Sequence, residues 1–431
     1  MFDPQPYRDV RFRIPVQCIW LKMNGSWPLA VPGHNQNRFS FQRSIFAMAY
    51  SMWAWYVIIS VCITICFQTG FLINHFGDII MTTENCCTTF MGALNFVRLL
   101  HLRLNQDKFR KIIKQFAHDI WIPDNAHFNI SRDCRKRMTT FSIMTGLLSC
   151  LILMYCVLPL VELFLIVGLD AEVKPFPYKM QFPFNPYSNW IKYILTYLFT
   201  SYAGICVVTT LFAEDSIFGF FITYTCGQFR LLHERIDQLM VTSDLKFQQE
   251  YVKDHHHRWQ IQELQQIAKQ HNRLICFAKR LEDFFNPILL VNLLISSLLI
   301  CMVGFQIITG KNMFIGDYVK FIVYISSCLS QLYILCGNGD TLIQHSTITA
   351  WHLYACHWES TSKTQSSLCS PTNKEFRTNL QFMILCSQRP VRITAFKFST
   401  LSLQSFTAIL STSMSYFTLL RSLYYDNSPN N

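Results

Sequence analysis

Charge is what this sequence has least of. Asp, Glu, Lys and Arg make up 15% of its 431 residues, against 51% hydrophobic residues. Soluble domains carry about a quarter charged residues. The chain is long enough for several soluble domains, but its composition excludes that architecture. A secretory signal is also missing. Residues 1–40 open on Met-Phe-Asp-Pro-Gln-Pro and hold Arg8, Arg11 and Arg13, with no early apolar stretch. The first membrane helix is therefore expected to act as its own targeting signal. The 17 cysteines include no Cys-x-x-Cys pair, which argues against zinc. Most of them, such as Cys62, Cys66, Cys150, Cys156, Cys206, Cys301 and Cys328, sit in apolar runs, where a thiol behaves as a small hydrophobe. Phosphate-binding, His-Glu-x-x-His, Gly-x-Ser-x-Gly and EF-hand patterns are absent. No enzyme, cofactor or metal site is expected. Internal repeats and low-complexity tracts are absent too.

What is present is a series of long apolar runs. A hydrocarbon core of roughly 30 Å needs about 20 such residues in a helix. Suitable stretches run through Ser44–Gly77, Met138–Val161, Tyr193–Ala213, Phe284–Gly310, Phe321–Gly339 and Phe398–Leu420. A weaker one, Ile79–Leu100, is second in chain order and is broken by Glu84 and Arg98. Both charges lie near its ends, from which they are expected to snorkel. The result is an all-α membrane protein with seven transmembrane helices.

The net charge of +11 reads as topology control, because the basic residues lie between apolar runs and form no separable domain for nucleic acid. The segments before span 1 and between spans 2 and 3, 4 and 5, and 6 and 7 hold 31 of the 37 Lys and Arg, counting Arg98 at the end of span 2. Positive charge marks the cytoplasmic side. That places the N-terminus in the cytoplasm and the C-terminus outside, opposite to a G-protein-coupled receptor. The sequons at Asn24 and Asn129 then face the cytoplasm and are expected to stay unglycosylated.

The expected organisation is a cytoplasmic segment 1–43, spans 1–4 in 44–227, a cytoplasmic helical anchor 228–283, spans 5–6 in 284–339, a cytoplasmic linker and amphipathic helix 340–397, the last span 398–423 and an outer tail 424–431. In the anchor, Leu232, Ile236 and Leu239 recur at helical spacing, as do Leu264, Ile267, Leu274, Ala278 and Leu281. Helices continuing from spans 4 and 5 are expected to pack together there. Residues 374–388 read as an amphipathic helix with Phe376, Leu380, Met383 and Ile384 on one side. The Ser- and Thr-rich stretch 360–372 reads as a linker.

Three charged clusters invite chemistry. His255-His256-His257 cannot all face one metal from one helix and reads as a solvated run. Glu214-Asp215 suits an ion or proton site, but its place near the inner end of span 4 favours an ion pair or helix-end solvation. His233-Glu234-Arg235 reads as a charged helix face.

The last span is rich in hydroxyls: Phe398 to Ser422 contains eleven Ser or Thr among 25 residues. At 100° per residue, Gln404, Ala408, Ser411, Ser415, Leu419 and Ser422 form one stripe that is small and polar except at Leu419. If copies of this helix surround a channel, Leu419 makes one apolar ring, and such rings gate by dewetting. The competing reading is that the hydroxyls bond neighbouring helices or their own backbone. Periodicity leaves the two equal.

The closing octapeptide Ser-Tyr-Phe-Thr-Leu-Leu-Arg-Ser, 415–422, resembles that of the insect odorant receptors. Upstream, Leu401-Ser402-Leu403-Gln404-Ser405-Phe406, Ser387-Gln388-Arg389-Pro390, Ala350-Trp351-His352-Leu353-Tyr354 with Trp358, and Gln331, Cys336 and Gly339 fit the same family. The resemblance implies a subunit of a tetrameric, ligand-gated, non-selective cation channel in the plasma membrane of olfactory neurons. Its partner would be the shared olfactory co-receptor, and its ligand a small volatile odorant. The pore would use Ser411, Ser415, Leu419 and Ser422, with Leu419 where the co-receptor has Val. Arg421 stands where the co-receptor is apolar, a departure that bears on ion selectivity. The loop between spans 4 and 5 is shorter than the co-receptor's, which points to an odour-tuning subunit. Family ligands bind among spans 2, 3, 4 and 6 in the outer half, which here implies Thr89, Phe90, Ser149, Ile152, Tyr155, Tyr197, Ser201 and Tyr324. Mostly apolar walls with a few hydroxyls suit a volatile molecule. A gustatory-type receptor of the same superfamily is the alternative, though its closing motif more often begins Thr-Tyr and ends Gln-Phe. A seven-helix G-protein-coupled receptor and a transporter stand further off.

Overall fold

The computed structural model describes residues 18–28, 40–120, 128–168, 173–246, 253–309, 315–356, 358 and 371–426. Among them the secondary structure is almost wholly helical. In chain order the helices are α1 (Cys18–Met23), α2 (Ser40–Asn74), α3 (Ile79–Leu104), α4 (Gln106–Gln115), α5 (Phe128–Glu162), α6 (Trp190–Lys246), α7 (Lys253–Thr309), α8 (Ile315–Ala355), α9 (Pro371–Ser387) and α10 (Leu403–Asp426). A two-stranded hairpin, β1 (Thr394–Ala395) with β2 (Ser399–Thr400), precedes α10.

Among the described residues five helices, α2, α5, α6, α7 and α8, are long and apolar enough to cross a membrane. The more polar α3 packs against α2, α6 and α7, and α10 packs against α7 and α8. Local chemistry sets several boundaries. Asp78 caps α3, its carboxylate accepting from the backbone N–H of Ile80 at 3.0 Å and Met81 at 3.1 Å. Inside α5, Pro159 removes a backbone donor. The helix then loosens into a π-helical turn, Leu163–Val167, closed by Gly168 at φ +83°. Pro371 opens α9, where its missing N–H costs nothing, so the linker read over 360–372 gives way to helix at that residue. Residues 359–370 lie outside the described residues.

The second halves of α6 and the first part of α7 form the helical body expected from the periodicity. Leu232, Ile236, Leu239, Leu264, Ile267, Leu274, Ala278 and Leu281 are all buried. From α9, Phe376, Leu380 and Met383 are buried against it and Ile384 packs at its edge. Aromatic rings fill the junction. Phe109 stacks on Phe284 at 5.4 Å, Phe116 meets Phe221 at 5.2 Å, and Phe218 meets Phe285 at 5.0 Å.

Four expectations change. Helix α10 starts at Leu403 instead of Phe398, because residues 394–400 turn back on themselves; Phe396 and Lys397 at the tip both have positive φ, as this tight hairpin demands. Glu282 and Asn286 of α7 accept hydrogen bonds from Thr394 and from the Phe396 backbone, which holds the hairpin down. Arg98 does not snorkel. It is fully buried and pairs with Asp215 at 2.9 Å and Glu214 at 3.6 Å. Glu84 is met by a partner within the chain: it pairs with Lys179 of the loop between α5 and α6 at 2.6 Å. His233 is not on a charged outer face: it is buried, stacks on His352 at 4.5 Å and shares a hydrogen bond with Thr349. The side chains of His255, His256, His257 and Asn129 lie outside the described residues. Asn24 is buried, and its amide donates to the hydroxyls of Thr209 and Thr210 on α6.

Candidate functional site

The bundle holds an apolar chamber of about 50 Å³. Val61, Thr64, Ile65 and Gln68 of α2, Thr88, Met91 and Gly92 of α3, and Leu148, Leu151, Ile152 and Tyr155 of α5 line it. Ala203, Gly204, Val207 and Val208 of α6 and Tyr324 of α8 complete the helical wall. The last lining residue, Tyr178, comes from the loop between α5 and α6.

Of the eight expected ligand residues, Ile152, Tyr155 and Tyr324 line this chamber. Tyr324 donates its hydroxyl to the Cys87 carbonyl at 2.9 Å, which fixes the ring as a wall. The other five do not line it. Thr89 bonds back to Asn85, at 2.9 Å to the carbonyl and 2.8 Å to the side-chain oxygen. Phe90 packs against the core beside it. The face of α3 toward the chamber is Thr88–Met91–Gly92, one residue of helical rotation away. On α5 the same rotation places Leu148 and Leu151 inward and leaves Ser149 half-buried outside. Tyr197 donates to the Cys156 carbonyl at 2.7 Å and packs with Leu163 and Tyr193 in a separate cluster. Ser201 is buried away from the lining. Sequence reasoning missed α2 and Tyr178. The signal in α2 was Thr64 and Gln68, a polar pair four residues apart on one helix face of a mostly apolar span. Nothing in the loop sequence singled out Tyr178.

Beside the chamber lies a polar vestibule of about 610 Å³. Asp78, Glu84, Glu162 and Asp317 face Lys174, Lys179 and Lys320 around it. Lys320 pairs with Asp317 at 2.7 Å. The two cavities share Thr88, Tyr155 and Tyr178.

Further along the bundle from the vestibule, the buried charges Arg98, Glu214 and Asp215 join α3 to α6, and Gln331 of α8 donates to Asp215 at 2.6 Å. This is an ion pair tied into a network, and its oxygens are spoken for on the Asp215 side. Isolated charges at such depth would cost several kcal/mol each.

The last helix has two faces. Ser413 and Phe417 are buried, and the Ser413 hydroxyl lies 3.0 Å from the Ser297 carbonyl of α7. Gln404, Ala408, Ser411, Ser415, Leu419 and Ser422 are exposed along the opposite side. Leu419 is 57% exposed, and Arg421 is exposed beyond it with its guanidinium over Tyr425 at 5.6 Å. Several hydroxyls on this helix bond its own backbone, as Ser415 does to Ser411 at 3.1 Å.

Comparison with known proteins settles the family. The model of the 7tm odorant receptor family matches residues 78–414. Odorant receptor 13a of Drosophila melanogaster is 63% identical over 99% of both chains. The chain belongs to the 7tm odorant receptor family. Relatives at lower identity include Odorant receptor 47a of Drosophila melanogaster, 25% identical over 78% of this chain and 82% of its own. The fold of this receptor matches the insect olfactory receptor OR5 from Machilis hrabei, solved in complex with eugenol, with a TM-score of 0.73. That match covers 94% of this chain and 97% of the other at 16% identity. The receptor is an all-α, multi-pass membrane protein of a receptor family, not of an enzyme family.

Proposed function

We propose that this receptor is the odour-tuning subunit of a ligand-gated, non-selective cation channel. It binds a small volatile molecule in the chamber walled by Ile152, Tyr155 and Tyr324, and α10 lines the pore. The observation that carries the pore assignment is the exposed face of α10. A small, polar stripe interrupted by Leu419 faces away from the rest of the chain, while Ser413 and Phe417 hold the helix to α7. A face of this kind suits water and ions better than hydrocarbon. Leu419 then forms a hydrophobic gate with Ser415 below and Ser422 above, and Ser411 continues the wettable wall.

All seven spans cross, with α3 and α10 completing the five more apolar helices. The N-terminus lies in the cytoplasm and the C-terminus outside, as the basic loops require. The helical body of α6, α7 and α9 sits below the membrane as an anchor. Exposed Trp351, Tyr354, Phe382 and Phe396 near it offer apolar surface to neighbouring subunits. The partners are copies of the olfactory co-receptor in a heterotetramer, in the plasma membrane of olfactory sensory neurons. A ligand opens the pore by binding the open state more tightly.

The test is whole-cell current in cells expressing the receptor with and without the co-receptor during a panel of volatile odorants. Fast inward cation current that needs both subunits is the expected result. A G-protein response without current, with both proteins at the surface, would overturn the channel assignment.

A further inference from the structure

The chamber is small for the task given to it. Its volume of about 50 Å³ is well under the roughly 150 Å³ of an apolar cavity that takes up benzene. A volatile molecule of several heavy atoms cannot enter without a side chain moving. The vestibule beside it has more than ample room at about 610 Å³. What stands between them is a stacked pair of rings, Tyr155 and Tyr178, with centroids 5.4 Å apart and 26° between planes. Tyr155 belongs to α5 and is buried in the bundle. Tyr178 belongs to the loop, and its ring reaches into the bundle as far as Gly204 of α6. A Cβ at position 204 would fall on the Tyr178 hydroxyl and lie 2.8 Å from its Cζ. Only glycine leaves room for the ring to seat there.

The loop on both sides of Tyr178 is fastened. Before it, the Tyr193 hydroxyl donates to the Pro175 carbonyl at 2.7 Å. After it, the Asn85 amide donates to the Lys179 carbonyl at 2.8 Å, Lys179 pairs with Glu84, and the Gln181 backbone N–H donates to the Phe67 carbonyl at 3.1 Å. Between these fixed points the Tyr178 side chain is held by its packing on Tyr155 and Gly204. Neither its hydroxyl nor that of Tyr155 has a hydrogen-bond partner among the described residues. Burial pushes the Tyr178 phenol above its ordinary pKa of 10.

We infer that Tyr178 is the movable partition between vestibule and chamber, seated against Gly204, and that its displacement admits the ligand and sets the largest molecule the chamber accepts. This rests on the chamber being the ligand site. Small aromatic lids of this kind gate access without a change of fold.

The partition is tested without any current. Met91→Cys places a thiol in the chamber and Met81→Cys places one in the vestibule. The full-length protein in detergent is treated with a charged methanethiosulfonate reagent, and modification at the introduced cysteine is followed by peptide mass mapping. Met81→Cys is expected to react fast and Met91→Cys slowly. Tyr178→Ala is expected to speed Met91→Cys at least tenfold. Gly204→Ala, which leaves the loop intact, is expected to do the same by unseating the ring, and to add nothing in the Tyr178→Ala background. Equal rates at Met91→Cys with and without Tyr178 would overturn the partition. So would an effect of Gly204→Ala that persists without Tyr178. The size limit is read separately, with straight-chain esters of increasing length applied to cells expressing both subunits. Tyr178→Ala is expected to move the most effective ester to a longer chain, and an unchanged optimum would overturn the size-setting role. Absence of current with every ester would count against the channel reading, while the labelling rates would still decide the partition.

Discussion

The two ends of this receptor are built differently. At the end that the proposed topology makes outer, α2, α3, α5, α6 and α8 stand around a chamber and a vestibule, closed by a loop held through hydrogen bonds and one ion pair. At the end that the proposed topology makes inner, α6 packs on α7 and α8, and α9 packs on α7 and α8, around fully buried Phe221, Phe229 and Phe277 and a run of Leu and Ile. Protein interiors pack densely and resist deformation, and parts that open for ligands are drawn from the less stable regions. The same chain therefore holds a densely packed body at one end and cavities at the other. Between them sits the Arg98–Asp215–Gln331 network, which ties α3, α6 and α8 at one level.

The largest effect is expected at that tie. Arg98→Ala strands two buried carboxylates and should cost about 3–5 kcal/mol, read as a fall in the thermal midpoint of the purified receptor. A cost under about 1 kcal/mol would show that the network is not a load on the fold. Next, Phe277→Ala in the inner body should cost about 3–5 kcal/mol, and Leu148→Ala at the chamber wall should fall near the low end of the 2–5 kcal/mol range. Leu148 already faces open space on one side, so its truncation loses fewer contacts. The opposite order would break the contrast between the two ends. Leu419→Ser should leave stability within about 1 kcal/mol, since the side chain is 57% exposed. It should produce current without odorant in cells that also express the co-receptor, and a silent variant would move the gate elsewhere. The smallest effect is expected at the half-exposed Arg230–Asp133 pair, 3.1 Å apart. There Arg230→Ala should change stability by no more than about 1 kcal/mol.

Periodicity carried the inner body. Leu232, Ile236 and Leu239 face one way because their spacing leaves no other stable arrangement, and the same holds for Leu264, Ile267 and Leu274. The polar stripe on α10 was legible for the same reason, though its start was not: the hairpin at 394–400 depends on contacts to Glu282 and Asn286 of α7. Helical spacing alone could not decide which face of α3 or α5 meets the chamber, since an apolar span offers similar residues all round. Thr89 and Ser149 therefore lie a single step off the chamber's lining. Arg98 was misplaced because its partner Asp215 lies 117 residues away, a distance no local pattern can bridge. Tyr178 was invisible because a loop residue acquires its role only from where the loop is fastened.

The most direct test of the account is a pair of concentration–response curves for an activating odorant in cells expressing both subunits. Ile152→Trp fills the chamber, and Ser149→Trp adds the same ring on the same helix outside it. The account predicts that Ile152→Trp raises the half-maximal concentration at least tenfold and that Ser149→Trp changes it less than threefold. Equal shifts, or a larger one for Ser149→Trp, would contradict the assignment of this chamber as the odorant site.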